Sequence, residues 1–177
     1  NEFNYVTPKS LDERCIVICC SLKATAETVH AVERARQFGA VTIAMTGSPE
    51  TGMAKAGEYV VVYSNGDEQI YSQSNQSMAL RLGFEILHQF EGYPLYHEAM
   101  AAFDQIDAIV AESKRSMLPA AQSFAVEYQN DPLFQVLGAG PLYGTAYSMA
   151  NCHFMEMHWR NAIMIHSGEY FHGPFEM

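Results

Sequence analysis

A chain of 177 residues, 49% of them hydrophobic, has room for one large domain, or one and part of a second, with a real core. Its formal net charge of −10, with no basic cluster longer than Ser113-Lys114-Arg115, argues against nucleic acid or an anionic membrane surface as a partner. It leaves anionic small molecules open, because a site needs only local donors.

The apolar runs are short, such as YVVVY at 59–63, and none approaches the roughly 18 residues a membrane span requires. The opening NEFNYVTPKS lacks a basic region followed by an apolar stretch, so no signal peptide is expected and a cytoplasmic setting is. Cys15, Cys19, Cys20 and Cys152 form no Cys-x-x-Cys spacing, which points to buried free thiols rather than a zinc framework or disulfide scaffold.

Taken in chain order, RCIVICCS from Arg14 reads as a strand buried on both faces of a parallel sheet. The segment ATAETVHAVERARQFGA follows in helical phase and stops at Gly39, a natural C′ residue. VTIAMTG is a second strand, SPETGMAKAG a short helix, and EYVVVYSNGD a third strand closing on Asn65-Gly66. Strand–helix–strand–helix–strand is the pattern of βαβ units in an open α/β sheet. From about Gln73 to Tyr128 three helices follow without a strand, with Pro94 and Pro119 at the first turns of two of them. Then PLFQVLGAGPLYGTAYSMANCHFMEMHW begins a new cycle of strand, Gly-rich turn and long helix, and AIMIHSGEY supplies another strand and the start of a helix. Both ends look cut, as if the second cycle continued elsewhere.

Three constellations carry chemistry. The first is the strand-to-helix junction CCSLKATAET, where Ser21, Lys23, Thr25 and Thr28 gather hydroxyls and one ammonium beyond the carboxyl end of a strand. A helix N-terminus there favours an anion such as a phosphate monoester. The same residues also suit an ordinary N-cap on Thr25. The second is LGAGPLYGTA, a Gly-rich turn that misses the dinucleotide fingerprint because Tyr143 stands at the third glycine. The third is HSGEYFHGPFEM, in which His166, Glu169 and His172 recur every three residues. Zinc on a helix usually takes two histidines four apart, and Gly173-Pro174 breaks the helix at His172. A partly desolvated Glu169 could instead move protons on carbon, or be a solvated helix residue with His172 as its dipole partner. His153 and His158, in CHFMEMHW, read as packing residues, and His30 as part of a solvated helix face.

Together NEFNY, SLKATAETVHAVERARQFGA, GAGPLYGTAYSMANCHFMEMHW and above all HSGEYFHGPFE resemble the tandem sugar isomerase (SIS) domain proteins, and among them the fructosamine 6-phosphate deglycases. The isomerase half of glucosamine-6-phosphate synthase is a more distant likeness. The resemblance covers the whole chain. It implies an α/β fold of five-stranded parallel sheets flanked by helices, twice over: 1–128 as a first SIS domain lacking its start, with connecting helices, and 129–177 as the beginning of a second. The usual Ser-x-Ser-Gly-x-Thr phosphate loop is altered here: Ser21 matches the first position, Lys23 replaces the second serine, and Ala24 replaces the glycine. Thr25 matches the last threonine only if one residue is missing from the loop.

By its matching position Glu169 inherits the proton-moving role, with His172 shaping the site. The resemblance places a further histidine acid beyond Met177 and a first phosphate-contacting turn before Asn1. It implies a homodimer with sites at the subunit interface, and neither metal nor other cofactor. The expected reaction is deglycation: a ketoamine sugar 6-phosphate is enolised and its imine hydrolysed to a hexose 6-phosphate and an amine. An aldose–ketose or aminosugar isomerase and a non-catalytic sugar-phosphate-binding module are the alternatives.

Overall fold

The structure is a computed structural model that describes residues 2–64 and 69–176. The chain folds as two compact units, Asn1–Ser116 and Met117–Met177. The expected boundary after residue 128 thus differs from this division, which falls inside a helix. The predicted Asn65-Gly66 turn lies outside the described residues.

In the first unit, α1 (Glu2–Tyr5) is followed by β1 (Ile16–Cys20), α2 (Ala26–Gln37), β2 (Val41–Thr46), α3 (Gly52–Ala56) and β3 (Tyr59–Val62). The three strands form one parallel sheet in the order β1-β2-β3, with Ile18 opposite Ile43 and Ala44 opposite Val60. Val, Ile and Thr dominate these runs because branched side chains pack well on a pleated surface. α2 ends as its sequence predicts. Gly39 takes φ +81°, its N–H donates to Arg36 O at 2.9 Å, and the Ala40 N–H reaches Ala35 O at 3.2 Å, which closes a Schellman motif.

Helix α2 presses Val32 onto Ala44 and Met53, with Cys19 and Val29 at the margin, while Ala35 meets Leu11 and Ala40 beside Val17. Val32, Met45 and Met53 are fully buried, a contribution of about 1.5–3 kcal/mol each. The alternation along β1 then sets its other face. Ile16 and Ile18 stay 41% and 44% exposed, so the strand is covered on one face rather than both.

Beyond the sheet come α4 (Asn75–Glu91), α5 (Tyr96–Phe103) and α6 (Ile106–Tyr128). Ser74 caps α4 by accepting from Ser77 N at 3.3 Å, and Gly92 closes it at φ +72°. Three helices were expected and three form, but their boundaries move. The chain breaks at Asp104-Gln105, and α6 runs straight through Pro119, which does not start a helix. Pro119 leaves the Arg115 carbonyl without its i+4 donor, and the flanking Met117, Leu118, Ala120 and Ala121 are strong enough helix formers to carry the helix across. Pro94 sits just before the α5 N-cap, Leu95, rather than inside the first turn.

In the second unit β4 (Phe134–Gly138) pairs in parallel with β5 (Ala162–His166). The connection is not one long α-helix. A 3₁₀ turn at Gly140–Leu142 leads into α7 (Tyr143–Ser148), and Met149–Met157 winds as a π-helix. Gly138 is required by close approach, since a β-carbon there would stand 2.5 Å from Ala146 Cβ and 2.8 Å from Leu142 O. After β5 the expected helix is replaced by 3₁₀ turns at Ser167–Glu169 and Pro174–Glu176. The architecture is α/β with parallel sheets, and the described residues supply three strands to one sheet and two to the other, short of five in each. No described helix is long and apolar enough to cross a membrane.

Candidate functional site

The carboxyl ends of β1, β2 and β3 open into one pocket of about 700 Å³. Each strand delivers polar residues to it: Lys23 after β1, Gly47 and Ser48 after β2, Tyr63 and Ser64 after β3, with Gln73 closing a wall. This is where an open parallel sheet places its ligands. Gly47 lets the β2 loop approach the β1 loop, since a β-carbon would lie 2.7 Å from Leu22 Cδ1 and 3.0 Å from its carbonyl oxygen. That carbonyl accepts from Gly47 N at 3.1 Å and from Thr46 Oγ1 at 3.3 Å, which ties Lys23's neighbour to the sheet. Burial, with a hydrogen bond that the phenol donates to the Cys20 side chain, pushes the Tyr63 phenol well above its usual range, so Tyr63 lines the pocket as a neutral group.

Ser21, Lys23 and Thr25 lie in the one loop that joins β1 to α2. Ser21 Oγ accepts from Thr25 N at 3.2 Å. Thr25 is the N-cap residue of α2, yet its hydroxyl does not cap; it pairs with Thr28 Oγ1 at 2.9 Å. The capping expectation is therefore half met, in position but not in bonding. Ala24 stands where the resemblance calls for glycine, and its backbone takes φ +54°. The left-handed turn survives the loss of its glycine, at a cost of about 1–2 kcal/mol for an L-residue.

Glu169 and His172 occupy the second unit, in the turns after β5. His166 Nδ1 accepts from Gly168 N at 3.1 Å and so caps the Ser167–Glu169 turn. Glu169 Oε2 stands 3.9 Å from His172 Nδ1, and the two side chains are 71% and 73% exposed. The partial desolvation expected of Glu169 is thus not provided by the residues around it. Among the described residues no group of three or more His, Cys, Asp or Glu is arranged to hold a metal.

The packing role expected of His153 and His158 is not seen, for both are exposed, as is His30. Cys20 is exposed too, whereas Cys15, Cys19 and Cys152 are partly buried; all four are free thiols. Burial raises the Cys19 thiol above its usual range.

Sequence reasoning missed two features. Ser48 and Gln73 carry no local motif, though Gly-Ser directly after a buried strand was a usable signal for a crevice residue. The π-helix places Glu156 at its exposed end, and π-helical segments concentrate at functional sites. Nothing in the apolar periodicity of Met149–Met157 announces that winding.

No family model matches the chain. It is 37% identical over its whole length to the fructosamine deglycase FrlB of Bacillus subtilis (strain 168), of which it covers 54%. It is 26% identical to the fructoselysine 6-phosphate deglycase of Escherichia coli (strain K12), with 99% of the chain and 51% of that protein covered. The chain therefore spans about half the length of the curated relatives it matches. Among solved structures, a protein of Bacillus subtilis assigned as a phosphosugar isomerase superposes with a TM-score of 0.95 at 36% identity, over 100% of this chain and 54% of that one. The C-terminal domain of glucosamine-fructose-6-phosphate aminotransferase from Francisella tularensis reaches 0.81 at 14% identity, over 99% of this chain and 51% of that one, a likeness of fold alone.

Proposed function

The chain has the SIS fold of the phosphosugar isomerases and is a relative of the fructosamine deglycases, and from that premise we propose that it acts in cleaving a ketoamine sugar 6-phosphate. The observation that carries this reading is the pocket at the carboxyl ends of β1–β3, whose lining includes Lys23, Ser48 and Gln73. A phosphate monoester suits it: the Lys23 ammonium supplies charge, and the adjoining loop, with Ser21 and Thr25 leading into α2, offers hydroxyls and the partial positive charge of a helix N-terminus. Glu169 takes the proton from C1 of the open-chain ketoamine, giving an enaminol, with His172 shaping its surroundings. Return of a proton to C2 gives an aldose imine, and water adds across the C=N bond to release glucose 6-phosphate and the free amine. Protons on carbon move in this scheme through a carboxylate alone.

A carboxylate base works best when desolvated, and Glu169 is mostly exposed here, so its shielding has to come from substrate or from a partner subunit in a homodimer whose sites lie at the interface. The π-helix favours a second assignment of the base, to Glu156. Fructoselysine 6-phosphate supplied to the Glu169→Gln and Glu156→Gln proteins separates the two. Loss of the base lowers glucose 6-phosphate release by about a hundredfold or more. Undiminished release by the Glu169 variant, with loss in the Glu156 variant, moves the role to Glu156; undiminished release by both sinks the enolisation scheme.

A further inference from the structure

The wall of the pocket that carries Gln73 is a 3₁₀ turn, Tyr71–Gln73, only three residues long. Such a turn does not hold its own position; outside bonds do. On the pocket side the Ser64 N–H donates to Gln73 O at 2.8 Å. On the far side two residues of α6 grip it. Asp107 accepts from Ser72 N at 2.9 Å with one carboxylate oxygen and from Ser72 Oγ at 2.6 Å with the other. Lys114, two helical turns on and on the same face, meets the hydroxyl of Tyr71 and lies 4.6 Å from the centre of its ring. Ser77, buried in α4, adds a bond from its hydroxyl to Tyr71 O at 2.7 Å. A carboxylate that takes two donors of one residue fixes direction as well as distance, and charge-assisted bonds of this kind are the strong ones.

We propose that Asp107 is a positioning residue for the sugar-phosphate pocket: from α6 it holds Ser72, and so sets Gln73 in the wall of the pocket that Lys23 also lines. This rests on the reading of that pocket as the phosphate site. The hydrogen bonds from Ser72 hold the Asp107 carboxyl below its usual range, so the grip is made by a carboxylate at neutral pH. Asp107 touches no ligand in this account; its effect passes through the turn.

The test is titration of the full chain with glucose 6-phosphate by calorimetry, which reads dissociation constant and stoichiometry separately. Asp107→Asn keeps the shape and loses the charge and one acceptor. It raises the dissociation constant about tenfold while stoichiometry stays at the wild-type value. Ser72→Ala removes only the 2.6 Å hydroxyl bond and raises it by a smaller factor, and it carries the test if the Asn variant does not fold. Lys23→Ala is the control for the pocket itself. If Lys23→Ala weakens binding but the Asp107 and Ser72 variants bind like wild type, the positioning role is overturned and the pocket stands. If Lys23→Ala also binds like wild type, the pocket reading fails. A fall in stoichiometry at unchanged dissociation constant assigns Asp107 to folding alone and overturns the proposal.

Discussion

Ala24 shows how a loop can lose its signature residue and keep its shape. With φ at +54° it occupies a region in which a β-carbon crowds the backbone, yet the β1–α2 loop still turns so that Ser21 Oγ meets Thr25 N. Ala24→Gly relieves the strain and gives back part of that gain as unfolded-state entropy. The expected result is a stabilisation of about 0.5–1 kcal/mol in urea denaturation, with the loop geometry unchanged. A destabilised variant would show that Ala24 makes contacts that outweigh its backbone strain. Lys23, beside it, was legible as a candidate from one line of sequence, because it follows a buried strand and precedes a helix. Gln73 was not, because its place depends on a bond to Ser64 and on Asp107, 34 residues further along. No local pattern encodes a partner at that separation.

Among the elements, those whose period lies in the sequence formed as read: three strands of branched residues, α2 with its Gly39 stop, and β4 and β5. Those that failed did so where local preference is weak or overridden. Pro119 looked like a helix start and became a helix interior, since a run of good helix formers on both sides bridges one missing N–H. The π-helix at Met149–Met157 replaced an α-helix because a change in winding leaves composition untouched. Face-to-face burial of β1 was inferred from an unbroken apolar run, but such a run records only that both faces tolerate apolar side chains. At the β4–α7 junction the requirement is steric and sharp. Gly138→Ala drives a β-carbon into Ala146 and the Leu142 carbonyl, an overpacking of about 1–3 kcal/mol that lowers the melting temperature. A melting temperature equal to the wild type would mean that α7 shifts freely off β4.

At the scale of the molecule, two compact α/β units share one long helix, and the chain matches half the length of relatives named as deglycases. The fold class and the family likeness were legible because βαβ periodicity and the HSGEYFHGP motif are local features of the chain. The exposure of Glu169 was not, since desolvation is a property of everything around a residue. The proposed function is cleavage of a ketoamine sugar phosphate, whereas a phosphosugar isomerase would share the same pocket and the same enolisation. Product analysis separates them most directly. Fructoselysine 6-phosphate and fructose 6-phosphate are each incubated with the protein, and sugar phosphate and free amine are quantified. The account predicts glucose 6-phosphate and lysine in equal amounts from the first, and no aldose phosphate from the second. Conversion of fructose 6-phosphate with the ketoamine left intact would contradict it.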